Sequence, residues 1–259
     1  MTRQEFARTY LTLNFNSMAY LNSNPVKVKV SDDAPDAFDW RDKGAVSDVK
    51  NQGSCGACWA FATVANLEGL YAIKKGAVKT FSEQYLVDCD TDDAGCNGGL
   101  MEFAFMWLAI NDGGVMTDSD YPYTGQKSTC AQDSSKFVDM KVTGYIKLGD
   151  GSQQFQPTDE GYIKQFLFET GPLAITINAD PLQFYEGGIA DYGRDECSPD
   201  GINHGVTLVG YGSESQDYWI VKNSWGKDWE KVDISEWLEE KKLAVLTIIS
   251  LLLQLNFKL

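Results

Sequence analysis

Histidine is almost missing from this chain: 259 residues hold a single one, His204. A zinc site of the usual Cys/His kind lacks its ligands, because one Cys-x-x-Cys is present, Cys55 to Cys58, and no second. No metal and no cofactor is expected. Basic residues are also few, 22 Lys and Arg against 37 Asp and Glu, and the net charge of −15 argues against nucleic acid and against anionic membrane surfaces. No Asn-x-Ser/Thr sequon occurs, so nothing supports sorting through an N-glycan. Residues 1–30 show no apolar core followed by a small-residue cleavage site, and no signal peptide is expected there. The longest apolar run, Leu243 to Leu253, is about half of the ~20 residues a bilayer span requires. It reads as a buried helix or an aggregation-prone strand rather than an anchor. What remains is a globular composition, 43% hydrophobic, in a chain long enough for one large domain or two lobes.

The most informative stretch is Gln52-Gly53-Ser54-Cys55-Gly56-Ala57-Cys58-Trp59-Ala60-Phe61. A polar turn precedes Phe61, Val64, Ala65, Leu67, Tyr71 and Ile73 at helical spacing, and Gly76 is the expected stop. Cys58 therefore falls in the first turn of a helix, where unpaired N–H groups and the dipole favour a thiolate. A redox pair normally follows a hydrophobic strand, and Lys50-Asn51-Gln52-Gly53 is none. A thiolate nucleophile needs a base that takes its proton and returns it to a leaving amine. His204 is the one imidazole available, in Ile202-Asn203-His204-Gly205-Val206 at the start of an apolar strand.

These segments resemble papain-like cysteine peptidases of the cathepsin L-like kind. The resemblance implies an α+β fold with a helical left lobe, a β-barrel-like right lobe and the active-site cleft between them. It implies Cys58 as nucleophile, His204 as base, Asn223 as the group orienting the imidazole, and Gln52 as a side-chain donor to the oxyanion. Trp225, in Lys222-Asn223-Ser224-Trp225-Gly226, would shield the His–Asn bond. Gly98 and Gly99 would line the cleft wall, and Leu100, Met101, Thr176, Ile202 and Gly205 the pocket for an apolar P2 side chain. Six cysteines leave many pairings open by spacing alone. The resemblance implies Cys55–Cys96 and Cys89–Cys130, a free Cys58 and an unpartnered Cys197. Disulfides imply an oxidising compartment, and the resemblance implies a lysosome, a vacuole or the extracellular space.

Along the chain, Met1 to Leu11 resembles the end of an inhibitory proregion, and residues 1–33 are taken as that remnant with its linker. Processing is expected around Ser31 to Ala34, in an extended, polar segment of the sort a peptidase cuts. The peptidase domain is taken as 34–229. Within it Ser82 caps a short helix, Leu100 to Ile110 reads as a buried one, a further helix lies near Asp159 to Glu169, and Leu173 to Ile177, Gly205 to Gly212 and Asp217 to Lys222 read as strands. Helices first and strands second favours two packed lobes. The resemblance stops near Trp229, and residues 230–259 are taken as a divergent tail, with Ile234, Trp237, Leu238 and Lys241 spaced as an amphipathic helix. A shifted reading frame, a retained intron or an alternative exon would produce such an end.

The expected function is endopeptidase action on proteins or peptides by a Cys-His-Asn thiolate mechanism, in a monomer held in check by its own proregion and by cystatin-like inhibitors. The alternatives are an inactive or unstable product of the same scaffold, with an incomplete right lobe, and a thiol–disulfide oxidoreductase using Cys55 and Cys58.

Overall fold

The computed structural model describes residues 1–12, 29–148, 160–185, 187–190, 201–214, 216–227, 229, 234–238 and 248–251. Helix α1, Arg3–Tyr10, opens with a capping box in which the Thr2 hydroxyl accepts from the Glu5 N–H and the Glu5 carboxylate accepts from the Thr2 N–H. Helix α2, Cys58–Lys75, ends where Gly76 adopts the left-handed conformation, φ 79°. Thirteen of its eighteen residues are buried, so it is a central helix rather than the amphipathic one its spacing suggests. Among its buried polar residues, Thr63 donates to the Trp59 carbonyl, Asn66 donates to the Pro172 carbonyl, and Glu68 receives Lys50.

Helices α3, Glu83–Cys89, and α4, Met101–Ile110, pack with α2 around Trp59, Leu67, Phe81, Tyr85 and Phe105. Ser82 caps α3 by accepting from the Tyr85 N–H, as its sequence predicts. Two disulfides, Cys55–Cys96 and Cys89–Cys130, stitch this lobe in the implied pairing. Cys55–Cys96 binds the approach to α2 to the loop before α4. Cys197 lies outside the described residues.

The second lobe is one mixed sheet. In chain order its strands are β1 Phe38–Asp39, β2 Tyr145–Leu148, β3 Leu173–Ile177, β4 Ile189–Ala190, β5 His204–Ser213, β6 Asp217–Lys222, β7 Ile234–Leu238 and β8 Ile248–Leu251. The spatial order is β2-β8-β3-β5-β6-β7-β4, with β1 on β5. Helix α5, Glu160–Thr170, packs on it through Tyr162, Ile163, Phe166 and Leu167. β3 and β5 are buried along almost their whole length because α2 packs against both strands and α5 packs with them in the second lobe's core.

The expected α+β fold is present, with the sheet not closed into a barrel: among the described residues β2 and β4 stand at opposite ends without pairing. One expectation is corrected. Residues 234–238 form no helix. They run antiparallel to β6 in the register Lys222↔Ile234 to Tyr218↔Leu238, and β8 inserts between β2 and β3. An open sheet edge with unmet N–H and C=O groups takes a strand where local spacing favours a helical turn. The rest of the tail, like the linker from 13 to 28, lies outside the described residues. Among the described residues no helix is long and apolar enough to cross a membrane.

Candidate active site

Cys58 is the first residue of α2, and the cap position before it, Ala57, offers no side chain to the helix N–H groups. His204 is the first residue of β5 and pairs across the sheet with Ile177, as Gly205 does with Thr176. The two lobes meet through Gly205: a Cβ placed there would lie 3.0 Å from Met101 Sδ and 3.4 Å from the Cys58 carbonyl oxygen. A glycine here lets β5 come this close to the head of α2 without displacing the Met101 side chain. Strand pairing and the lobe contact thus set the residue next to His204 against the backbone of Cys58 from far along the chain.

Asn223 follows β6. Its Oδ1 lies 2.8 Å from His204 Nε2 and also accepts from the Ser224 N–H at 2.8 Å. An asparagine oxygen can only accept, so Nε2 carries the hydrogen and Nδ1 is left as the basic nitrogen. Nδ1 is buried and makes no hydrogen bond among the described residues. Trp225 covers the imidazole, ring centroids 4.8 Å apart. Gln52 is wholly buried; its Oε1 accepts from Ser224 Oγ at 2.7 Å and its Nε2 donates to the Cys55 carbonyl at 3.2 Å, leaving one amide hydrogen uncommitted.

Gly98 and Gly99 are buried, Leu100 is the cap residue of α4, and Met101 is its first residue. Thr176 and Ile202 are buried on the sheet side. Of the residues read from the sequence, the structure brings His204, Asn223 and Trp225 together and sets Gly205 against Met101 and the Cys58 backbone. Two participants gave no signal of their own. Ser224 fixes the Gln52 amide. Tyr123 donates its hydroxyl to the Gln52 carbonyl at 2.9 Å besides standing edge-on to Phe61. The N-terminal segment, read from the sequence as a proregion remnant, adds to them.

That segment lies across the seam. Phe6 and Tyr10 of α1 each pack on Trp225 with ring centroids 5.3 Å away. The chain then carries Thr12 to Cys58, where its hydroxyl and backbone face the sulfur and its Oγ1 would fall 2.4 Å from a Cβ on Gly56. Further on, the expected processing segment is fastened to α5: Gln165 Oε1 accepts from the Asp33 and Ala34 N–H groups, and Glu169 accepts from the Ser31 N–H and hydroxyl.

The electrostatics follow from this cover. Burial pushes the Cys58 thiol up, against smaller stabilising contributions from the Gly205, Thr12 and Trp59 groups around the sulfur. Burial likewise lowers His204 from 6.5 to about 4, partly offset by Asn223 and the Tyr10 backbone. The resting thiolate–imidazolium pair expected from the helix terminus is thus not the favoured form here. Desolvation of two wholly buried groups outweighs the helix dipole, and the neutral pair is held. Cys55 is committed to Cys96, which removes the partner an oxidoreductase would need.

Comparison with known proteins agrees with this geometry. The family described as papain family cysteine protease matches residues 34–240. Cathepsin F of Drosophila melanogaster is 42% identical over 238 residues, 88% of this chain and 37% of that protein. Cysteine proteinase A of Leishmania mexicana is 40% identical over 237 residues, 88% of this chain and 63% of that protein. The chain therefore spans less than two thirds of the length of these curated relatives. Among solved structures, digestive procathepsin L2 of the Tenebrio molitor larval midgut superposes with TM-score 0.85 at 34% identity, covering 97% of this chain and 80% of that one. The recombinant stem bromelain precursor gives 0.79 at 32%, covering 97% and 80%. The chain belongs to the papain family of cysteine proteases.

Proposed function

We propose that the protein is a cysteine endopeptidase held as a covered proenzyme, in which Cys58, His204, Asn223 and Gln52 carry the chemistry. The observation that bears most weight is the His204 Nε2 to Asn223 Oδ1 bond beneath Trp225, which leaves Nδ1 as the free base in the seam that holds Cys58. Once residues 1–12 leave, water re-enters, both burial penalties shrink, and the Cys58 proton moves to His204 Nδ1. The thiolate attacks a substrate carbonyl carbon. The oxyanion is received by the Gln52 amide and the Cys58 N–H at the head of α2. His204 returns the proton to the leaving amine as the C–N bond breaks. The same imidazole then takes a proton from water, which opens the thioester to a carboxylic acid and restores the thiol.

Substrate backbone would lie along Gly98 and Gly99, with a P2 side chain among Leu100, Met101, Thr176, Ile202 and Gly205. Four of these five are apolar or without a side chain, so an apolar P2 is proposed. Residues 1–33 would be the inhibitory segment and its linker, 34–229 the peptidase domain proper, and 230–259 a tail. An acidic vesicle or the extracellular space, and cystatin-like inhibitors, suit this reading. The test is hydrolysis of a fluorogenic dipeptide amide by acid-processed protein, with Cys58→Ala as partner. Turnover lost in the variant with folding unchanged upholds the proposal, and residual turnover above background in it would refute the assignment.

A further inference from the structure

Behind the cleft wall lies a side chain that the chemistry above does not use. Leu100, the cap residue of α4, has extended backbone, φ −134° and ψ 139°, and offers no side-chain cap to its helix. Its own N–H donates to Asp93 Oδ1 at 2.8 Å. Gly99 is pressed between that carboxyl and Trp59: a Cβ on Gly99 would fall 2.6 Å from Asp93 Cγ and 2.8 Å from Trp59 Cδ2. The main chain proposed to carry substrate therefore rests directly on Asp93. Asp90 adjoins Asp93 and accepts from the Asp92 N–H at 2.8 Å. The remaining oxygens, Oδ2 of Asp90 and Oδ2 of Asp93, are buried without a hydrogen-bond donor.

The geometry points to Asp93 as a positioning residue for the substrate wall: it shares one proton with Asp90, and that shared proton keeps Gly98, Gly99 and Leu100 in place for the P2 residue. This rests on the peptidase reading. Two adjacent buried carboxylates cannot both stay ionised, and one proton between them serves both orphaned oxygens. Burial and then the Asp90 charge push Asp93 up to about 9, and burial pushes Asp90 up to about 6. The groups facing the pair give no compensating cation. Asp92 on the same loop adds like charge, Tyr85 of α3 faces Asp90, Trp59 of α2 is neutral, and Lys127 lies across Gly95 by its aliphatic stem. No ion pair joins either aspartate to a lysine or arginine among the described residues. Loss of the proton would set two like charges behind the wall and displace it, without touching the sulfur.

The experiment compares wild type, Asp93→Asn and Asp93→Ala as acid-processed enzymes on one dipeptide amide from pH 5 to 9. Asparagine still accepts from the Leu100 N–H and donates to an ionised Asp90. The wild-type KM is expected to rise toward pH 9, the Asp93→Asn KM to stay low and flat, and the Asp93→Ala KM to be about fivefold or more above wild type at pH 5, the worth of one buried hydrogen bond. Turnover numbers should stay within about twofold. An Asp93→Asn profile that tracks wild type, or an Asp93→Ala defect confined to kcat, overturns the proposal. Peptide Kd values measured on Cys58→Ala chains nicked between 31 and 34 by added protease should show the same contrast. They keep the two readings apart, because a pH-dependent affinity that Asp93→Asn flattens upholds the wall even in a protein that hydrolyses nothing, and a flat wild-type affinity sinks it. If Asp93→Ala does not fold, the Asp93→Asn comparison decides alone.

Discussion

Phe6 stands edge-on to Trp225, ring centroids 5.3 Å apart with the planes 81° to each other, and Trp225 in turn covers the His204 ring. One aromatic contact thereby joins the first helix of the chain to the hydrogen bond that orients the base. Phe6 is almost fully buried, although Gln4 and Glu5 before it are exposed. Removing the N-terminal segment and opening the catalytic seam are consequently one event.

Truncating Phe6 to alanine should loosen this cover. Deleting a buried phenylalanine ring costs about 3–5 kcal/mol in a well-packed core, and here the loss falls on the docking of α1 rather than on either lobe's centre. Full-length Phe6→Ala is expected to react with an epoxide inhibitor at Cys58 at least tenfold faster than wild type at pH 7, with the same melting temperature for the peptidase lobes. The second-order labelling rate, followed by intact mass, is the measurement. Equal rates in the two proteins would mean that α1 does not guard the sulfur.

Acid should open the same cover, and the sign is fixed by His204. Its imidazole ordinarily titrates at 6.5 and is lowered to about 4 beneath the segment, first by burial. Before the Cys58 proton is transferred, the uncovered imidazole binds between those values a solvent proton that the covered form refuses, so the covered form loses stability as pH falls through that window and loses no more below it. One proton is involved, which limits the effect to tenfold per pH unit. Labelling of the full-length chain should therefore climb from pH 6.5 to about 4, relative to the same protein nicked in its linker. A ratio independent of pH across that window would remove the imidazole from the release step.

Asn223 and Gln52 should fail differently. Asn223→Ala takes the acceptor from His204 Nε2 and from the Ser224 N–H, so the ring loses its fixed tautomer. A loss of about 100-fold in kcat is expected, the lower range of a well-placed acid–base group. Gln52→Ala removes an oxyanion donor, for which about 100- to 1000-fold in kcat is typical. The distinction lies in labelling: Gln52→Ala should keep a reactive thiolate once processed, whereas Asn223→Ala should shift its pH dependence. Steady-state kinetics beside epoxide labelling across pH separate the two, and identical profiles would contradict the division of roles.

The sequence shows the chemistry more clearly than it shows the architecture, for a physical reason. Cys58 at a helix start, a lone His204 at a strand start and the Asn223–Trp225 segment are local patterns, set by residue type and spacing. The seam that joins them depends on Gly205 meeting the backbone of Cys58 across the lobes, and no local pattern encodes a contact of that range. Tyr123 and Ser224 serve Gln52 through bonds that reach across the fold. The shifts of Cys58 and His204 away from their charged forms are equally absent from the local pattern, since they come from burial, against the opposing contacts of Thr12 and Tyr10. The tail misled in the other direction: Ile234 and Trp237 have helical spacing, and the vacant edge of β6 takes them as a strand.

That edge yields the last prediction. Ending the chain after Trp229 removes β7 and β8. β6 then exposes the ladder from Tyr218 to Lys222 that β7 now occupies, and β2 loses β8, its link to β3. β6 leads into Asn223, and β5, which carries His204, keeps β3 and β6 as partners, so one side of a 2.8 Å bond follows a strand left short of a neighbour. Unpaired edges of this length template association between chains. The truncated protein is expected to aggregate on expression, and any soluble fraction to label with the epoxide at least tenfold more slowly than the processed full-length chain, because catalytic geometry tolerates little displacement. Light scattering and labelling of the same preparation check both parts. A monodisperse truncated chain labelled at the full rate would show that residues 230–259 are dispensable to the site.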